Sequence, residues 1–114
     1  MRVERIDMES ATILRLEGDL DETGVDDLRE AVYDCISHSR FNLVLNLRYV
    51  GFISYMGVGV LVERLRKLRS FNGDIKLVGM NTYADRLFRM ASVHKLFDVY
   101  DEEARAVVVF KEAA

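Results

Sequence analysis

The sequence predicts a single α/β domain over residues 1–114, a mixed β-sheet with helices packed on it in the order β-β-α-β-α-β-α-β-α. Three observations predict it. Two short β-rich segments open the chain, with only Glu9-Ser10 between them. After them, apolar residues switch repeatedly between alternation and helical spacing, the rhythm of strand–helix pairs and a largely parallel sheet. At 114 residues, half apolar and 31% charged, folding removes about 65% of the unfolded surface from water, enough for one core but not two.

Each element follows from its residues. Arg2–Met8 and Thr12–Glu17 form an opening hairpin, and Gly18-Asp19 ends its second strand. From Glu22, the positions Val25, Leu28, Val32, Cys35 and Ile36 recur at helical spacing, with Asp26, Asp27, Glu30 and Asp34 on the other faces. Thr23 or Asp21 caps this helix, and the early acids suit the positive end of its dipole. Phe41, Leu43, Leu45 and Leu47 then alternate with Asn42, Val44, Asn46 and Arg48. That pattern is a strand, central in the sheet because Val44 makes its second face partly apolar. A loop carrying Gly51 follows.

The second helix begins near Gly57, with Val58, Leu61, Val62, Leu65 and Leu68 inward and Arg64, Lys67 and Arg69 outward. It stops at Asn72-Gly73, where glycine takes a left-handed conformation cheaply. Ile75–Met80 reads as a buried strand. Asn81 or Thr82 caps a third helix bearing Ala84, Leu87, Phe88 and Ala91 on one face. Phe97–Tyr100 is short and extended, and Asp101-Glu102-Glu103 opens a last helix that Lys111 closes. The run Val107-Val108-Val109-Phe110 suits a strand equally, so residues 104–110 stay open between the two. The hairpin makes the sheet mixed, and the crossover helices make its later strands parallel.

Composition excludes several function classes. A net charge of −3 gives no pull towards nucleic acid or an anionic membrane. The first twenty residues carry charges throughout, and the longest uncharged run, Tyr49–Val62, is too short to span a bilayer. Cys35 with His38 and His94 is too small a set for structural zinc, so no metal and no cofactor are expected. A lone cysteine needs no oxidising compartment, and the expected location is cytoplasmic. The net charge hides an asymmetry. Residues 17–34 hold eight acids against one base, and residues 64–95 hold eight bases against two acids. Two solvated helix faces of opposite sign, or steering of a charged partner, account for it equally well.

Five segments in order resemble the STAS domain family (sulphate transporter and anti-sigma factor antagonist), in particular its small stand-alone bacterial antagonists. They are Leu16-Glu17-Gly18-Asp19-Leu20-Asp21; Leu43–Leu47 followed by Val50-Gly51-Phe52-Ile53; Gly57-Val58-Gly59-Val60-Leu61; Arg86–Met90; and Leu96-Phe97. The resemblance covers nearly the whole chain and implies a non-enzymatic protein switch. Family members bind an anti-sigma factor that is also a serine kinase, and so free a sigma factor for transcription. The kinase phosphorylates a serine before the helix, the antagonist lets go, and a phosphatase restores it. The added charge, about −1.5 to −2, is accepted at a helix start and repels the partner.

The resemblance places Asp19, Asp21, Phe52, Ser54, Tyr55, Met56, Gly57 and Gly59 on the partner-binding surface. Here the sequence departs from the family pattern, because Ser54 stands at the aspartate position and Tyr55 at the phosphoserine position. A kinase site shaped for a short hydroxyl does not accept the longer phenol. Three readings stay open: constitutive action, a displaced phosphosite at Ser54, or a different partner.

Each residue also has a plainer reading. Ser54 is a natural helix N-cap. Tyr55 and Met56 either anchor an interface or cover the sheet edge. Gly57 and Gly59 form no phosphate loop, since no lysine follows, and close packing of the helix on the sheet explains them. Cys35 reads as a buried small hydrophobe and His94 as a surface residue, which leaves a Cys35–His94 nucleophilic pair on paper only. Asp19 and Asp21 sit at a turn and a helix start, where carboxylates bond backbone N–H groups. Beside an anti-sigma factor antagonist, the sequence leaves two alternatives. One is a STAS subunit or scaffold of another signalling or transport complex; the other is a small nucleotide or ligand binder.

Overall fold

A computed structural model describes residues 1–113. Its five strands lie in the sheet in the order they occur along the chain: β1 (Arg2–Asp7), β2 (Thr12–Leu20), β3 (Asn42–Ile53), β4 (Asp74–Val78) and β5 (Asp98–Tyr100). β1 runs antiparallel to β2, and every later pairing is parallel. The α-helices are α1 (Gly24–Ser37), α2 (Tyr55–Arg69), α3 (Thr82–Met90) and α4 (Glu103–Ala113), with one 3-10 turn at His94–Leu96. The predicted order of strands and helices is the observed one.

Alternation along the strands builds two unequal cores. Leu14, Leu16, Leu43, Leu45, Leu47, Ile75 and Leu77 point to one face, where α1, α2 and α3 lay Leu28, Val32, Leu61, Leu65 and Phe88 over them. Ile13, Val44 and Val78 point to the other, and α4 alone covers them, with Ala106 and Phe110. Lys76, buried on that second face, donates to Asp98 (3.0 Å) and lies 4.8 Å from the Phe110 ring centre, a cation–π seat for α4. The carboxylate of Glu103 clamps the other end of α4, accepting two bonds from Arg15 (both 2.9 Å) and one from Asn46 (2.8 Å).

The structure corrects several local expectations. β3 does not end at Arg48 in a loop; it runs through Gly51 to Ile53, and its pairing resumes after each of two irregularities with a β2 that itself continues past Gly18-Asp19 to Leu20. Register shifts at Arg15/Glu17 and Gly18/Asp19 permit this, and Gly18 supplies the positive φ of 121°. β4 ends at Val78, short of Met80. In α2, Val60 is buried while Val62 is only half-buried, and the first turn begins at Tyr55 rather than Gly57. At the α2 exit Asn72, not glycine, takes the left-handed conformation (φ 62°). Gly73 is needed there for another reason, since a Cβ would lie 2.0 Å from the Phe41 carbonyl oxygen. The valine run is helical: Ala106 and Phe110, four residues apart, make the buried stripe. No helix among the described residues is long and apolar enough to cross a membrane.

Candidate functional site

The C-terminal ends of β2 and β3 lie side by side, with Asp19 opposite Phe52 and Leu20 opposite Ile53. From that edge the chain enters α1 and α2, so every residue predicted for the site collects at one end of the sheet. The junction centres on the Leu20 carbonyl oxygen. It accepts from the Ser54 backbone N–H (3.0 Å) and from the Ser54 hydroxyl (3.1 Å). The same hydroxyl accepts from the Gly57 N–H (3.0 Å), which makes Ser54 the N-cap of α2. Both hydrogen-bonding roles of Ser54 are therefore taken within the fold.

Gly57 follows from this junction. A Cβ there would come within 2.6 Å of the Leu20 carbonyl oxygen and 3.1 Å of the Ile53 side chain. The close-packing account holds for Gly57 and fails for Gly59. Gly59 is exposed, and a Cβ there meets nothing within 4 Å.

Tyr55 and Met56 form the first turn of α2, not a loop, and stand 61% and 48% exposed. Helical spacing puts Gly59 one turn below Tyr55, so bare backbone lies beside two large side chains. Phe52 is exposed beside them.

On the α1 side Asp21, not Thr23, provides the cap. Its carboxylate accepts from the Gly24 N–H (2.9 Å) and the Thr23 N–H (3.1 Å), and the Gly24 bond chiefly holds its pKa below the usual carboxylate range. Asp19 makes no such bond; its carboxylate lies instead beside Gly51, 3.3 Å from where a Cβ would stand.

Sequence reasoning missed Tyr83. In the first turn of α3, which Asn81 caps through the Ala84 N–H (2.8 Å), Tyr83 donates its hydroxyl to the Ile53 carbonyl (3.3 Å) and leaves its ring partly exposed. It carries the aromatic surface from α2 onto α3. The available signal was an aromatic residue inside the polar stretch Asn81–Arg86.

Other candidates fall away from this edge. Cys35 is fully buried in α1, and burial pushes its thiol pKa up, the reverse of an activated nucleophile. His94 is half-buried rather than on the surface, with Nδ1 unpartnered among the described residues. No group of three or more His, Cys, Asp or Glu able to hold a metal occurs among the described residues. The basic segment is partly neutralised: Arg69 pairs with Asp74, Lys76 with Asp74 and Asp98, and Arg89 with Asp85.

Comparison with known proteins agrees with this architecture. The STAS domain family model matches residues 2–106. An anti-sigma F factor antagonist of Paenibacillus polymyxa is 28% identical over 96 residues, covering 83% of this chain and 82% of that protein. A protein of Thermotoga maritima superposes with a TM-score of 0.88 at 20% identity, over 96% of this chain and 94% of that one. An anti-sigma factor antagonist from Mycobacterium paratuberculosis does so with a TM-score of 0.84 at 20% identity, over 96% and 93%. At such identities these two structures speak to the fold.

Proposed function

This chain belongs to the STAS domain family, and from that premise we propose that it acts as an anti-sigma factor antagonist whose contact with its partner is not switched by a phosphoserine. The proposed docking surface is the edge built from Asp19, Asp21, Phe52, Ser54, Tyr55, Met56, Gly57 and Gly59, with Tyr83 added. Its partner is an anti-sigma factor of the serine-kinase kind, whose capture releases a sigma factor.

The observation that carries the reading is the state of Ser54 and Tyr55. Phosphorylating Ser54 would require its hydroxyl to leave the Leu20 carbonyl and would disturb the cap on Gly57. Tyr55 occupies the first position of α2 and offers a phenol where the family pattern has a short hydroxyl. What this edge provides instead is an exposed aromatic and thioether surface, the composition of a contact anchor. Gly59 fits the same role. A mid-helix glycine costs about 0.5–1 kcal/mol relative to alanine, and nothing in the fold requires it, whereas a partner side chain resting on bare backbone would.

The test pairs capture with substitution. Anti-sigma factor is isolated from native lysate on the immobilised chain, and binding of Tyr55→Asp and Met56→Asp is measured against it. Both side chains are exposed, so both variants should keep the parent's melting temperature and bind at least about tenfold more weakly, as loss of a central anchor predicts. Incubation of the complex with ATP should leave Ser54 and Tyr55 unmodified by mass spectrometry. Undiminished binding by both variants refutes the surface, and stoichiometric phosphate on either residue refutes the absence of the switch.

A further inference from the structure

α3 exposes Tyr83, Arg86 and Met90, which follow one another at spacings of three and four and so form one ridge. Tyr83 turns that ridge towards α2, because its hydroxyl donates to the Ile53 carbonyl just before α2 begins. On α2 the same spacing lines up Tyr55, Gly59, Val62 and Arg66. One turn further along that ridge, Arg69 donates to the Leu96 carbonyl beyond α3 (2.7 Å). The two ridges are thus linked at both ends, with a groove between them. The fold buries little of Tyr55 or Met90, which stand 61% and 66% exposed on its walls.

We infer that this groove receives an acidic amphipathic helix of the anti-sigma factor. The inference rests on the function proposed above and carries its docking edge down between α2 and α3. Charge selects the occupant. Arg66 and Arg86 are exposed, and neither has an ion-pair partner among the described residues. Neither ridge carries a carboxylate. Each helix has a single acid, which lies off its ridge and is already paired, Glu63 with Arg64 and Asp85 with Arg89. The acids of α1 lie across α2 on its other flank, where Lys67 covers Phe71 and Phe71 stacks on Phe41 past the end of α1. A purely apolar segment would bury two guanidiniums without a counter-charge, and a basic one would repel them. A helix with an apolar stripe edged by carboxylates suits both the side chains and the charges, and Gly59 lets it come close at mid-groove. A nucleic acid would leave Val62 and Met90 unused and bring its phosphates past the acids of α1.

Titration of the isotopically labelled chain with a designed peptide tests this. The probe is a helix of about 18 residues with leucines on one face and glutamates on the other; its counterpart carries lysines in place of the glutamates. The glutamate peptide should shift the amide NMR signals of Gly59, Val62, Arg86 and Met90 saturably and displace anti-sigma factor from the chain. The double variant Arg66→Glu with Arg86→Glu should bind that peptide at least about tenfold more weakly and prefer the lysine peptide. Both arginines are exposed and unpaired, so the variant should keep the parent's melting temperature, and Arg105→Glu on α4 should bind as the parent does. Absence of groove shifts, equal binding of the two peptides by the parent, or a single-stranded oligonucleotide that shifts the same signals at lower concentration overturns the inference. The two readings fail separately. Capture of anti-sigma factor lost in Tyr55→Asp but untouched by the arginine reversals spares the docking edge and overturns the groove. Peptide binding and displacement in the groove, with capture indifferent to both Tyr55→Asp and Met56→Asp, overturns the edge and leaves the groove.

Discussion

Two glycines two residues apart in α2 are expected to respond to alanine with opposite sign. At Gly59 the new methyl meets no atom within 4 Å, so only the backbone term changes. Replacing a mid-helix glycine should stabilise the domain by about 0.5–1 kcal/mol, or a rise in Tm of about 2–5 °C at this size. At Gly57 the same backbone gain is offset by a collision. The methyl would stand 2.6 Å from the Leu20 carbonyl oxygen, the atom that accepts both the backbone and the side-chain bond from Ser54. Relieving the overlap pushes α2 away from β2 and lengthens both bonds. Overpacking of this kind costs about 1–3 kcal/mol, so Gly57→Ala should lose about 0.5–2 kcal/mol net of the propensity gain. Urea unfolding of the two variants and the parent decides it, with midpoints moving in opposite directions at constant slope. If Gly57→Ala is as stable as Gly59→Ala, the junction at Leu20 is not the constraint described. Partner binding gives a second readout, because a more stable Gly59→Ala that binds less tightly is what a contact surface over bare backbone predicts.

Two further outcomes follow from single side chains. Ser54→Ala removes the α2 cap and should cost about 1 kcal/mol in denaturant unfolding; no loss would mean the hydroxyl is free for other use. Glu103 sits below its ordinary pKa of 4.5, first because Arg15 bonds its carboxylate. A carboxyl depressed in the folded state stabilises above its unfolded pKa, and that contribution disappears as pH falls through the folded value. Glu103→Gln should therefore be less stable at neutral pH and lose less on acidification, measured as unfolding midpoints across the carboxylate range. Identical pH profiles for variant and parent would show that the clamp does not stabilise α4.

The element order was readable from residue pattern alone because each core stripe repeats at its own period. Leu43, Leu45 and Leu47 write a strand, and Leu61, Leu65 and Leu68 write a helix. What escaped were features decided across elements. Gly51 looks like a loop residue, yet Val50 and Phe52 on either side of it pair with β2, and Gly51 is the extra residue at the register shift between them. Gly57 and Gly59 are equivalent in sequence, and only the approach of Leu20 to one of them separates their roles. Val107–Phe110 is balanced locally between helix and strand; Phe110 meeting Lys76 on the uncovered face tips it to helix. Within the candidate site, Ser54 and Asp21 were legible as polar residues placed to cap helices at strand ends, and the remaining positions came from the family resemblance. Tyr83 was not legible, since its link to Ile53 spans thirty residues.

The sheet order has a kinetic consequence. Because each strand pairs with its predecessor in the chain, the sheet can lengthen by one strand as each successive segment emerges during synthesis, although each parallel pairing must wait for its crossover helix. The Arg15–Glu103 clamp is the exception, joining residues 88 positions apart. Until it closes, Ile13, Val44 and Val78 lie open on the second face. The growing chain thus exposes its smaller core until α4 has been made, and docking of α4 is the step that ends its exposure to aggregation.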